Sequence, residues 1–572
     1  MSTRGLARAL AGVFLVATVA ALLGIGVRGT YGAHVAVDEP QYLLTALSLA
    51  EDRDLDISDE IAERRYRAWS DVDPPVQAAV LEDGRRVSPH DPLLPVLLAL
   101  PVGVGGWIAA KATLAVLSGG LAALVLWVAV RRFAVPVPLA TTGVTLAFAS
   151  PPLAVYGQQI YPELPAALAV VLAVAALTGR LGRGGLAVLA ASVIALPWLS
   201  VKYAVVAGTL AALAAYRLGR ARRPRALGGL GAGLAVAGVA YAAAHRLVWG
   251  GWTVYASGDH FQRSGELGVV GFAPDYVGRS LRLVGLLVDR GFGIASWQPA
   301  WLLVLPALAA LARRWPQWPQ WPQGGAALAF PLAAGWAVAT WTAVTMHGYW
   351  WPGRQVVVVL PLALLAILVW LARTPRRFQL AALALGLAGA GAYACLLLDG
   401  YAREITWVVG FEGVHDPLYQ AFRLILPDYR HGEGLALWVR HAAWIAAFVA
   451  LALLGLRSPA DNPLRYLPRH LPRHLPRHLP QREGRHPWPS AHEPTACVVP
   501  PYSSPPSPRS AVSGSPAAPT TGPAPATADP RPGPARDLAR GPARAPARRT
   551  DPSVRRPGTP GCPARIDRGA TR

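Results

Sequence analysis

The residues best suited to chemistry stand early in the chain, in the string Val37-Asp38-Glu39-Pro40-Gln41-Tyr42-Leu43-Leu44. Pro40 fits the first turn of a helix, where its missing N–H is not needed, and Asp38 and Glu39 then sit at the positive end of the helix dipole. A carboxylate held there stays ionised, which suits a general base or a metal ligand. It suits a plain helix cap equally well, and spacing alone leaves both roles open. Asp38 and Tyr42 lie four residues apart and can share one face. Leu43, Ala46, Leu47 and Ala50 follow with helical spacing, which predicts an amphipathic helix able to lie on a membrane surface.

The elements that must position these residues are apolar. Of 572 residues, 53% are hydrophobic and 15% charged, with a mean hydropathy of +0.33. A soluble domain carries roughly 25% charged residues, so a simple cytosolic enzyme is excluded. Runs long enough to cross a bilayer core fall at about 10–27, 107–130, 137–155, 162–179, 184–199, 201–216, 226–247, 292–312, 325–346, 354–372, 379–398 and 437–456. The expected fold is all-α and polytopic, with about twelve spans. The first run follows Arg4 and Arg8 and exceeds the apolar length of a signal peptide, so it reads as an uncleaved anchor.

The net charge of +22 suggests nucleic acid until it is located. Residues 458–572 hold 18 Arg against 7 acids, which is half of it, and the rest lies in Arg clusters between apolar runs. Those clusters are Arg131-Arg132, Arg180 and Arg183, Arg217 to Arg225, Arg313-Arg314, Arg373 to Arg377, and Arg457. With twelve spans, all fall on the side of the N-terminus, which the positive-inside rule makes cytoplasmic. Both termini are therefore expected inside a cell membrane, and no nucleic-acid partner is needed. The opposite side is acidic: the loop 38–91 holds 14 of the 32 acids, and 399–434 carries six acids against three Arg. A third outer loop, 250–290, is mixed and aromatic. Long outer loops point to work at the outer face. Three cysteines, with no paired spacing, suggest neither a disulfide framework nor a metal site.

Two domains follow: a membrane domain over 1–457 and a tail over 458–572. Leu467-Pro-Arg-His repeats three times in that tail, and Pro, Ala, Ser and Arg dominate to the end. It has too few large apolar residues to offset chain entropy and is expected to be disordered, either a solvated extension without function or a basic segment that touches anionic membrane lipid. The Trp-Pro-Gln repeat at 315–323 reads as a loop expansion. Trp249, Trp252, Tyr255, Trp297, Trp301, Tyr349, Trp350 and Trp351 gather at outer span ends, where an interfacial aromatic belt accounts for them.

An Asp-Glu pair just outside the first span, followed by Tyr and an amphipathic helix, resembles the membrane glycosyltransferases of the GT-C superfamily. The dolichyl-phosphate-mannose–protein mannosyltransferases and the lipid A aminoarabinose transferase are the nearest in kind. Similar strings follow in the same order: Tyr161-Pro162-Glu163, then Leu196-Pro197-Trp198-Leu199 with Lys202-Tyr203. Asp289-Arg290-Gly291-Phe292-Gly293 and Tyr349-Trp350-Trp351-Pro352-Gly353-Arg354 complete the series. Each string is short, and the likeness covers residues 7–456 as architecture. The outer hydrophilic domain that some members carry after the last span is missing.

The resemblance implies a polyprenyl-phosphate sugar as donor and an inverting transfer, at the outer face, to a hydroxyl of a protein, lipid or polysaccharide. Asp38 would be the base, and Glu39 would orient the acceptor or hold a divalent cation. Glu163, one residue into a span, faces a polar cavity or marks a helix end. Lys202 and Arg354 stand outside against the positive-inside trend and either bind phosphate or snorkel to the interface. His90 precedes a membrane-hugging stretch from Pro92 to Pro101 and is either a phosphate neighbour or structural. Arg290 either joins the phosphate site or is neutralised by Asp289. The main alternative is a transporter or flippase for lipid-linked or small solutes, which calls for charges deep in spans and an internal repeat. A non-catalytic envelope scaffold is the third.

The arginine pattern makes a direct prediction. Reporters fused after Arg132, Arg225 or Arg377 should be cytoplasmic, and reporters at Asp59 or Glu412 external. A cytoplasmic reporter at Asp59 would end the outer-face reading.

Overall fold

A computed structural model describes residues 3–75, 77–254, 276–313, 324–343 and 345–457. The chain divides into a unit Met1–Arg473 and a unit His474–Arg572. The tail expected over 458–572, the repeat at 315–323 and Tyr255 lie outside the described residues.

The described chain is all-α apart from a two-stranded antiparallel ribbon, β1 Ala79–Val80 with β2 Arg86–Val87. It is an integral membrane protein by the length and composition of its helices. Eight are long and apolar enough to cross a membrane, and four shorter apolar helices accompany them: Val137–Phe148, Glu163–Leu177, Arg183–Leu199 and Pro299–Arg313. These match in position the twelve runs read from the sequence. The elements that matter most here are α1 (Thr3–Leu23), α2 (Glu39–Glu51), α3 (Ser58–Ala62), α4 (Leu93–Phe133), α5 (Val137–Phe148), α6 (Leu153–Tyr156), α7 (Glu163–Leu177), α8 (Arg183–Leu199), α9 (Ala204–Arg220) and α10 (Pro224–Trp249). Later elements are given by residue range.

Local chemistry explains where the helices break. In α4, Gly105 and Gly106 leave helical geometry, Gly106 at φ +60°, so a leg at 93–104 joins a longer helical segment that begins at 107. Only glycine enters that left-handed region freely. The run expected to 155 stops at Phe148, and Pro151-Pro152, which lack N–H donors, separate α5 from α6. The adjacent runs at 184–199 and 201–216 are separate helices: α8 ends at Leu199, and Val201–Tyr203 form a 3-10 turn before α9.

Two expectations change in detail. The apolar stripe of α2 is used against protein: Glu39 through Ser48 are all buried, and the helix packs on α4. Much of the aromatic belt is core. Trp297 and Trp351 are fully buried with Trp407, and Trp297 stacks on Tyr419 with ring centres 4.0 Å apart. Trp252 and Tyr349 remain exposed, as an interface would have them. A span-end aromatic has two apolar places to go, the headgroup region or a neighbouring helix, and the chain alone does not distinguish them.

Candidate functional site

Asp38 occupies the N-cap position of α2, yet its side chain makes no capping bond. The carboxylate turns instead into a buried cluster. Arg354 donates from Nη2 to Asp38 Oδ2 at 2.5 Å and from Nε to Glu163 Oε1 at 3.1 Å. Lys202 Nζ donates to the same Glu163 oxygen at 2.8 Å, while Glu163 Oε2 has no hydrogen-bond partner. Two acids and two bases, drawn from four separate segments, thus form one chain of charge. Burial pushes the Asp38 carboxyl upward, but the Arg354 guanidinium outweighs it and holds the group down at about 2.

Each partner is placed by its own backbone. Glu163 opens α7 after Pro162, so the carboxylate stands at the positive helix end. Arg354 opens a 3-10 turn, Arg354–Val359, that leads into the helix Leu360–Leu371. Gly353 before it adopts φ +86°, and a Cβ there would meet Ile294 Cγ2 at 2.5 Å, so glycine is required on both counts. The Arg354 guanidinium lies over Tyr161, 4.0 Å from the ring centre, and within 5.2 Å of Trp350. Both are cation–π distances.

A polar relay reaches Asp38 from the segment between α3 and α4. His90 Nε2 lies 2.9 Å from Gln77 Oε1, and Gln77 Nε2 donates to Asp38 Oδ1 at 3.2 Å. With the amide so oriented, the His90 proton sits on Nε2. Burial lowers the affinity of His90 for a second proton, so the ring is neutral, and it stacks on Tyr42 with ring centres 4.7 Å apart. Burial, reinforced by Asp38, keeps the Tyr42 phenol protonated well above its ordinary range.

Six of the eight residues singled out in the sequence therefore meet: Asp38, Tyr42, His90, Glu163, Lys202 and Arg354. Glu39 makes its contacts elsewhere. Its oxygens accept the amides of Ala36 and Ile160, both at 2.8 Å, and lie 4.0 Å from Lys111 Nζ. Arg290 is also elsewhere, 3.5 Å from Asp428 and bonded to the Arg423 carbonyl. Its neighbour Asp289 ties loops together, accepting from the amides of Gly291, Phe292 and Tyr429. A divalent cation fits poorly at the cluster, because Asp38 and Glu163 already have cations and Arg354 and Lys202 would repel the metal.

Sequence reading missed Gln77, Lys111 and Asp91. Lys111 carried a signal, being one of only two lysines and lying within an apolar run. Asp91 accepts the amide of Val201 at 2.9 Å and the Tyr241 hydroxyl at 2.9 Å, and lies 3.1 Å from His245 Nε2. It thereby fixes the turn that carries Lys202. Gln77 carried no signal in the sequence.

The class these features define is an all-α integral membrane protein with a buried, charge-balanced side-chain cluster at helix starts. No family model matches the chain, and no curated protein matches it in sequence. Among solved structures, the crystal structure of ArnT from Cupriavidus metallidurans bound to undecaprenyl phosphate is similar, with a TM-score of 0.43 and 14% identity. The likeness covers 80% of this chain and 77% of that one. So loose a likeness carries no functional weight, and the site must supply it.

The Glu39–Lys111 pair yields a test. Both side chains are fully buried, at 1% and 0% exposure. Removing one charge strands the other, which costs about 3–5 kcal/mol, whereas removing both is far milder. Glu39→Gln and Lys111→Met should each lower the thermal unfolding temperature in detergent, and the double variant should recover much of the loss. Unchanged unfolding in the single variants would show that the pair anchors nothing.

Proposed function

We propose that the protein is a membrane glycosyltransferase that moves a sugar from a polyprenyl-phosphate donor to an acceptor hydroxyl at the outer face of the membrane, with inversion. One observation carries this reading. Asp38 is buried, ionised and free of any capping duty, and it belongs to one cluster with two cations of the kind that bind phosphate. The acceptor, a protein, lipid or polysaccharide, presents its hydroxyl to Asp38. Its oxygen attacks the anomeric carbon as the bond to the lipid phosphate breaks. The hydroxyl proton passes to Asp38, and the phosphate leaves with the bonding electron pair. A phosphate needs no protonation to leave, so a single base suffices, unlike the two carboxylates of a glycoside hydrolase. Arg354 and Lys202 receive the phosphate, Arg as a fork and Lys as a point charge.

Lys202 is the better test of the phosphate site, since Arg354 also neutralises two buried acids. Its side chain is 20% exposed against 8% for Arg354. Lys202→Met should raise the donor KM roughly ten- to hundredfold, the equivalent of losing a charge-assisted hydrogen bond, with less effect on kcat. Asp38→Asn should lower kcat on the order of a hundred- to ten-thousandfold while donor binding survives. Both are measured with purified protein and a panel of labelled polyprenyl-phosphate sugars. Near-normal turnover in Asp38→Asn would remove Asp38 as base, and absence of transfer from every donor in the panel would remove the reading itself.

A further inference from the structure

Apart from the charge cluster, the loop after α2 contains an acidic segment whose charges do not balance. Between Glu51 and Glu63 stand seven carboxylates and one arginine, Arg53. Four of the seven are accounted for. Glu51 and Glu63 lie 2.7 and 3.6 Å from Arg65. Asp54 accepts from Ser48 Oγ and the Asp56 amide, and Asp56 from the amides of Ser58 and Arg86. The other three, Asp52, Asp59 and Glu60, converge, with one oxygen from each lying within 4.8 Å of the others.

Glu60 is the informative member. It is only 2% exposed, and neither carboxylate oxygen has a hydrogen-bond partner. An ionised carboxylate in that state, beside two like charges, is costly. Such a group must hold either a proton or a cation.

We propose that Asp52, Asp59 and Glu60 form a binding site for one calcium-sized divalent cation. The donors are hard oxygens, without the nitrogen or sulfur that zinc sites favour. Calcium bonds of 2.3–2.6 Å let one ion bridge oxygens up to about 4.6–5.2 Å apart, and calcium tolerates irregular geometry. Magnesium, with bonds near 2.0–2.1 Å and a strict octahedron, reaches less far. Asp52 and Asp59 are exposed, which gives the ion a path in and room for water ligands. Asp52, Asp54, Asp56 and Glu63 fall at the first, third, fifth and twelfth places of a helix–loop–helix calcium loop, but this site is differently built. Ile57, buried and bonded to the Arg86 carbonyl, stands where such a loop needs glycine, and Asp54 and Asp56 are spent on the loop itself. The ion would tie the end of α2 to α3. Asp56 and Ile57 then connect that corner to Arg86 in β2, four residues before His90. The site is independent of the transferase reading.

The test is calorimetric titration of CaCl2 into the full-length, EDTA-treated protein in detergent, with MgCl2 and ZnCl2 as comparators and thermal unfolding as a second readout. We expect one saturable calcium per chain and a raised unfolding temperature. Asp52→Asn and Asp59→Asn are surface substitutions that leave the fold intact, and each should weaken calcium binding tenfold or more. Glu60→Gln should abolish it. Three results would overturn the proposal: no saturable calcium binding at millimolar concentration, tighter binding of zinc than of calcium, or unchanged affinity in both Asp variants. Loss of binding in Asp399→Asn instead would place the ion at the separate cluster of Asp399, Glu404 and His415 and would equally overturn it.

Discussion

The buried charge cluster depends on one guanidinium. Arg354 bonds to Asp38 and Glu163, residues 316 and 191 positions away in the chain, and all three side chains are buried. A buried charge without a partner costs several kcal/mol, so none of the three is tolerable until the other two arrive. The start of α2, the start of α7 and the turn at Gly353 are therefore coupled. Arginine suits this role because its planar fork serves two carboxylates from different nitrogens, which a lysine ammonium does with less directional control. Tyr161 and Trp350 beside the guanidinium restrict its orientation further.

Around that centre the same device recurs at lower stakes. Lys111 and Glu39 join α4 to the segment before α2 and to the turn before α7, through the carbonyl of His34, the amide of Ile160 and Gln158. Asp91 joins the segment before α4 to α10 and to the turn before α9, with His245 stacked between Tyr241 and Trp249 at 3.8 and 4.6 Å. Asp289 does the same for its loop and Tyr429. In each case a buried acid collects donors from segments far apart in sequence. Apolar helices slide past one another cheaply in lipid, where hydrophobicity does not distinguish one neighbour from another. Polar ties of this kind supply the register.

Much of this was legible in the residues. The apolar helices stand where runs of bilayer length stand, because length and composition are properties of a segment by itself. Asp38, Glu163, Lys202 and Arg354 were legible singly, as charges in costly places. Their pairing was not, since a cost shows that a partner exists without naming it. Glu39 illustrates the limit. Adjacent to Asp38 and of the same type, it was read with it, yet one step along a helix turns a side chain by about 100°, and Glu39 points at Lys111 instead. Arg290 shows the converse: a charge in a suggestive string whose partner, Asp428, lies in another loop.

The charge balance of the cluster bears on how a phosphate would reach it. Two carboxylates and two cations cancel, so the resting cluster has no net charge to bury. Lys202 is the most exposed member of the cluster, its side chain at 20% against 8% at Arg354, 7% at Asp38 and 1% at Glu163. An anion arriving from solvent therefore meets Lys202 first, in competition with Glu163. Drawing Lys202 away from Glu163 leaves that carboxylate more dependent on Arg354, whose Nε it already holds. The guanidinium then has less to give to Asp38. On the proposed reading, the event that admits the donor also loosens the grip that keeps the base unreactive. An Asp38 held at about 2 is a poor proton acceptor, and weakening its bond to Arg354 raises that value toward one that can take a proton as the hydroxyl attacks.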